Sequence, residues 1–100
     1  MQAVKKIISV EFEVFGKVQG VYFRKYTQLQ ATNLNLVGWC MNTTKGTVTG
    51  IMQGPRDRID EMKIWLQKTG SPASRIDQAV FSNERDIEEY EFSDFSVHRE

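Results

Sequence analysis

From Ile8 to Val14 the chain alternates strictly. Ile8, Val10, Phe12 and Val14 are apolar, and Ser9, Glu11 and Glu13 between them are polar. A period of two marks a strand with one buried face. The period then lengthens. Phe23, Tyr26, Thr27, Ala31 and Leu34 fall near one face of a helix, interrupted by Gln30, and Asn33 and Asn35 mark its end. This predicts a helix from Phe23 to about Leu34. Val37 to Asn42 and Thr47 to Gln53 are strand-like runs separated by Thr43-Thr44-Lys45-Gly46, the spacing of a hairpin. Gly54-Pro55 breaks the second run and puts Pro55 in the first turn of another helix. That helix carries Ile59, Met62 and Leu66 at helical spacing, with Trp65 beside them and Gly70 placed to end it. After the Ser71-Pro72 loop, Arg75 to about Asn83 is predicted as a strand and the charged run Glu84 to Glu89 as a loop. Tyr90 to Val97 is a last strand. Its apolar positions change phase between Phe92 and Phe95, which predicts a bulge or burial on both faces.

The order is β-α-β-β-α-β with a short additional C-terminal strand. It predicts an α+β fold, the ferredoxin-like α/β sandwich, with two helices on one face of a mostly antiparallel sheet. Residues 1–100 read as a single domain. Such a fold hosts many unrelated activities, so function must come from particular residues.

Composition removes several classes. Thirteen Lys and Arg balance thirteen Asp and Glu, so a nucleic-acid partner held by bulk charge is not expected. Any phosphate chemistry must come from a local site. The single cysteine, Cys40, allows no internal disulfide, and a reducing, cytoplasmic compartment is the expectation. One His and one Cys do not make an ordinary zinc site, so no metal and no cofactor is expected. No apolar run is long enough to span a membrane, and the opening residues do not read as a signal peptide. A monomer is the default for a small neutral domain.

The run Gly16-Lys17-Val18-Gln19-Gly20-Val21-Tyr22-Phe23-Arg24 joins the first strand to the first helix. Two glycines permit a turn through positive φ. Amides of such a loop, together with the free N–H groups of the following helix, can form a nest for an anion. Arg24 falls in the first helical turn, where its planar guanidinium can fork onto two phosphate oxygens. A tight strand–helix connection with a surface arginine fits the same spacing. The second block is Gly38-Trp39-Cys40-Met41-Asn42-Thr43-Thr44-Lys45-Gly46-Thr47-Val48. If its strand lies next to the first, Asn42 sits close to the glycine loop. A side chain capping the turn is the other reading of Asn42.

Together the two blocks are specific. The chain resembles the acylphosphatase family from end to end. The family's first signature is met by Gly16, Val18, Gln19, Gly20, Val21, Phe23 and Arg24, and its second by Gly38, Trp39, Asn42, Gly46, Val48 and Gly54. The segment Gly70 to Asp77 and the tail Tyr90 to Phe95 resemble the stand-alone animal form. Two departures stand out. The tail runs on through Val97-His98-Arg99-Glu100, and Tyr22 occupies a position that is cysteine in some members.

The resemblance implies hydrolysis of the carboxyl–phosphate bond of small-molecule acyl phosphates. Arg24 is then the phosphate-binding residue, Asn42 orients the attacking water, and the backbone from about Gly16 to Tyr22 is the phosphate-binding loop, with Phe23 and Arg24 completing it. The chemistry is coherent. A carboxylate leaves without a proton, so no general acid is needed, whereas charge on the phosphoryl group must be stabilised. Asn42 does not titrate near neutrality; it positions water rather than deprotonating it. Rival chemistries fail on spacing. Cys40 is not followed, after five intervening residues, by an arginine, as a cysteine phosphatase requires, and the glycine loop lacks the Gly-Lys-Ser/Thr of a nucleotide P-loop. Thr43 and Thr44 are candidates for orienting the Asn42 amide, with plain turn chemistry as the competing reading. Lys45 and His98 read as solvated. A non-catalytic module that holds phosphate or another anion in the same cradle is the alternative function.

Overall fold

The computed structural model describes residues 6–99. Its elements are β1 (Ile7–Lys17), α1 (Phe23–Asn33), β2 (Val37–Asn42), β3 (Val48–Pro55), α2 (Arg56–Lys68), β4 (Arg75–Ile87) and β5 (Phe95–His98). They build one five-stranded sheet in the order β4-β1-β3-β2-β5. Every neighbouring pair is antiparallel except β2 and β5. Each helix joins two strands that leave one strand's width between them, which is the split βαβ of the ferredoxin-like fold. Both helices cover the same face.

The alternation in β1 sets the core. Ile8, Val10, Phe12 and Val14 are all buried and face the helices. They lie opposite Gly54, Met52, Gly50 and Val48 of β3. From α2 come Ile59, Met62 and Leu66, each fully buried. Burying such a side chain stabilises the fold by about 1.5–3 kcal/mol. From α1 come Phe23, Thr27 and Ala31, and the Thr27 hydroxyl is satisfied by donating to the Phe23 carbonyl at 2.7 Å. This stripe advances by four residues, so Tyr26, expected on the buried face, is turned outward and 40% exposed.

Three boundaries differ from the sequence reading. First, β3 continues through Gly54 to Pro55, because Ile7 and Ile8 of β1 extend the ladder there. Pro55, with φ −61° and ψ 147°, precedes α2 rather than starting it. Second, β4 runs on to Ile87 through the expected loop. Ser9 pairs with Arg85 and Glu11 with Ser82, so one extra residue of β4 is absorbed in a bulge where Asn83 takes φ 51°. Third, β5 starts at Phe95, not Tyr90. The segment before it crosses the end of the sheet on the face away from the helices. There the buried Gln53 donates to the Glu91 carboxylate at 2.7 Å and accepts the Glu91 N–H at 2.9 Å. The phase change at Phe92 to Phe95 is therefore a strand start.

Candidate active site

The connection from β1 to α1 is anchored by two buried side chains, Val18 and Val21. Between and after them the backbone turns through positive φ at Gly20 (72°) and Tyr22 (59°). Glycine does this without strain. For an aromatic residue the left-handed conformation costs about 1–2 kcal/mol. The two valine anchors hold Tyr22 there while the residue itself stays 76% exposed. Tyr22 is the residue that starts α1: its carbonyl accepts the first helical bond, from the Tyr26 N–H at 3.0 Å. The amides of Phe23, Arg24 and Lys25 thus lie ahead of the hydrogen-bonded ladder. No side chain caps this end, and its first turn holds no acidic residue. By contrast α2 carries Asp57 in its first turn. The positive end of α1 is thus uncompensated among the described residues, an arrangement that suits an anion.

β2 ends under that helix terminus. Gly38, Cys40 and Asn42 pair with Met52, Gly50 and Val48, so Asn42 is on the helix-covered face. The condition under which the sequence placed Asn42 near the glycine loop, β2 lying next to β1, is not met; β3 lies between them. Asn42 nevertheless meets the glycine loop, because α1 packs over β2 and β5 and brings its N-terminus above the end of β2. Gly20, Tyr22, Arg24, Asn42 and Arg99 line one open cleft of about 550 Å³. Lys25 also lines it, and among the described residues no carboxylate does. Among the described residues, Arg24, Lys25 and Arg99 bring three basic side chains to one site of a chain with zero net charge, an arrangement that favours an anion. Asn42 Oδ1 is buried and accepts no hydrogen bond within the described residues. An unused acceptor of this kind is costly unless a ligand or water completes it. Arg24 is steered by its Nη1 donating to the backbone carbonyl of His98 at 3.2 Å.

Cys40 lies close by but is no nucleophile. It is fully buried, and burial pushes its thiol up to about 12, with the Arg24 charge only partly opposing this. Its Sγ makes a weak contact, 3.8 Å, to the Arg24 carbonyl.

Not every residue of the predicted cradle takes part in the cleft. Gly16 and Lys17 belong to β1 and pair with Ile76 and Arg75 of β4. A side chain at Gly16 would collide with the Arg75 carbonyl, so this glycine serves strand packing at a register shift. The loop proper is residues 18–22. Gln19 turns its side chain away from the cleft lining and donates to the carbonyls of Thr43 and Thr47, each at 2.9 Å. Thr43 does not hold the Asn42 amide. Its hydroxyl is 2.6 Å from that of Thr47 and accepts the Thr47 and Lys45 N–H groups, which is turn chemistry. Thr44 is exposed in the same turn. Lys45 pairs with Glu13 at 3.4 Å rather than reaching the cleft. Sequence reasoning missed Arg99, Lys25 and the His98 carbonyl. A charged tail was visible, but only the parallel pairing of β5 with β2 brings it to the cleft.

Comparison with known proteins gives the family. The acylphosphatase family model matches residues 10–97. The chain is 60% identical to acylphosphatase-1 of Xenopus tropicalis over 95 residues, covering 95% of this chain and 97% of that one. It is 54% identical to human acylphosphatase-2 over 97 residues, covering 97% and 98%. A solved acylphosphatase structure from Coxiella burnetii superposes with a TM-score of 0.81 at 32% identity, covering 97% of this chain and all of the other. The chain belongs to the acylphosphatase family. Its activity is the hydrolysis of acyl phosphates.

Proposed function

We propose that this hydrolysis takes place in the cleft at the start of α1, with Arg24 and the amides of residues 20–24 holding the phosphoryl group and Asn42 holding the attacking water. The observation that carries the reading is the meeting of Arg24, an uncapped helix N-terminus and an unpartnered Asn42 Oδ1 around one cleft. In the reaction the water oxygen bonds to phosphorus as the bond to the acyl oxygen breaks. The carboxylate leaves with the electron pair. Because a carboxylate is a weak base, it needs no proton, and among the described residues no acid lines the cleft to give one. The charge that spreads over the phosphoryl oxygens is met by N–H donors already in place. Asn42 Oδ1 accepts a hydrogen bond from the water and fixes its line of approach. The water's proton passes to an oxygen of the phosphate. A module that binds anions without turnover is not favoured by membership in this family.

The acting species is a monomer, and its substrates are small acyl phosphates. A cytoplasmic setting fits the single, buried cysteine. Hydrolysis of benzoyl phosphate by the purified chain in chelator tests the reading. Release of benzoate and phosphate, with competitive inhibition by added phosphate, supports it. Phosphate binding without turnover contradicts it, and size-exclusion chromatography at working concentration checks the monomer.

A further inference from the structure

Gln19 lies inside the cradle sequence yet spends its donors elsewhere. The N–H groups of its amide bridge two carbonyls of the β2–β3 turn, those of Thr43 and Thr47, at 2.9 Å each. The Thr47 carbonyl also accepts the Thr43 N–H at 2.9 Å, so the bridge lands on the hydrogen bond that closes the turn. The turn is stiffened from its other side. The Thr43 and Thr47 hydroxyls are 2.6 Å apart, and Thr47 donates to the Glu13 carboxylate at 2.6 Å. Asn42 directly precedes Thr43. Gln19 itself sits between Val18 and the left-handed Gly20, where the loop backbone turns toward the cleft. One side chain therefore ties the segment that carries the anion-binding amides to the segment that carries Asn42, across 24 to 28 residues of chain.

From this juxtaposition we infer that Gln19 is a positioning residue of the hydrolysis: it sets the distance between the phosphate cradle and the water held by Asn42, and it does not itself bind phosphate. The inference rests on the reading of Asn42 given above. Its physical basis is the sensitivity of in-line attack to placement. The reacting oxygen and phosphorus must be held near 3–3.5 Å, and a misplacement of about 1 Å costs on the order of a hundredfold. Nothing else among the described side chains bridges the loop to the turn by hydrogen bonds. Without the bridge, Val18 and Val21 still pin the loop and Arg24 keeps its contact to His98, so the cradle persists while its register to Asn42 loosens.

The test is a double-mutant cycle of Gln19→Ala and Asn42→Ala, read by kcat, KM and phosphate inhibition. Gln19→Ala is expected to lower kcat by about tenfold or more with phosphate affinity kept within about threefold. In the double variant kcat is expected to fall no further than in Asn42→Ala alone, because residues that act as one unit are not additive. Independent, multiplying losses overturn the inference while leaving the role of Asn42 intact. If Asn42→Ala alone keeps its turnover, the underlying reading fails, and the inference falls with it. A phosphate titration of the native protein, followed by NMR at the Gln19 side-chain amide, covers the case in which Gln19→Ala does not fold. The side-chain signals are expected to move far less than the backbone amides of residues 20–24. Shifts as large as theirs show Gln19 to be a ligand and overturn the inference.

Discussion

The Arg24 guanidinium donates to the backbone carbonyl of His98, 74 residues further along the chain, at 3.2 Å. The carbonyl is held in place twice. β5 pairs with β2 up to Met41 and His98, and the His98 ring stacks on Trp39 with centroids 5.1 Å apart and planes 9° from parallel. His98 is thus not simply solvated, and the tail reaches the cleft. In His98→Ala the stack is lost, worth about 0.5–1.5 kcal/mol, and at this exposed end the low part of that range applies. Arg24 should be less well steered. The inhibition constant for phosphate is expected to rise about two- to fivefold with kcat nearly unchanged. An unchanged constant would show that strand pairing alone holds the carbonyl.

Replacing Arg24 by lysine keeps the charge and removes the planar fork. Lysine also cannot both hold the His98 carbonyl and grip two phosphate oxygens with fixed geometry. Transition-state stabilisation is expected to fall by at least about 2–4 kcal/mol, the range for removing one oriented donor. Phosphate affinity should fall as well. Steady-state kinetics with phosphate as inhibitor measure both, and values near those of the native protein would mean that charge alone suffices.

Much of this fold is legible in the sequence. The alternation from Ile8 to Val14, the bounds of β2 and the stripe Ile59, Met62 and Leu66 are direct readings of burial on one face. What escaped has physical causes. β4 is an edge strand, largely exposed, so Glu84, Arg85 and Asp86 carry no hydrophobic period even though their backbone completes the ladder to β1. The helix-like spacing of Tyr26 concealed that the buried stripe of α1 steps by four. At the site, Arg24 and Asn42 are singled out by residue type and by the two blocks that resemble the family, and both line one cleft. Gln19 was readable only as one more member of the loop, since the direction of its side chain depends on a turn 24 residues away. Arg99 could be placed only once β5 was known to run parallel to β2.

Acid sensitivity should include a contribution from the same turn. The Thr47 hydroxyl donates to Glu13, and with help from Lys45 this holds the carboxyl below its ordinary value of 4.5 despite some burial. A carboxyl lowered on folding stabilises the native state at pH values above its unfolded pKa. That stability is lost as pH falls through the folded value. Urea unfolding at pH 7 and at about pH 3 is expected to show a smaller acid loss in Glu13→Gln than in the native protein. Equal losses would place the acid sensitivity elsewhere.

In the proposed mechanism Arg24 binds and Asn42 positions. Asn42→Ala leaves the cradle, the helix terminus and Arg24 in place. It removes a strand-end side chain whose loss from the fold should cost no more than about 1 kcal/mol. The most direct measurement is phosphate binding and benzoyl phosphate turnover on the same folded Asn42→Ala protein. Binding is predicted to stay within a few-fold of native while kcat collapses by roughly a hundredfold or more. A fall of binding and turnover together, or turnover that persists, would contradict the account.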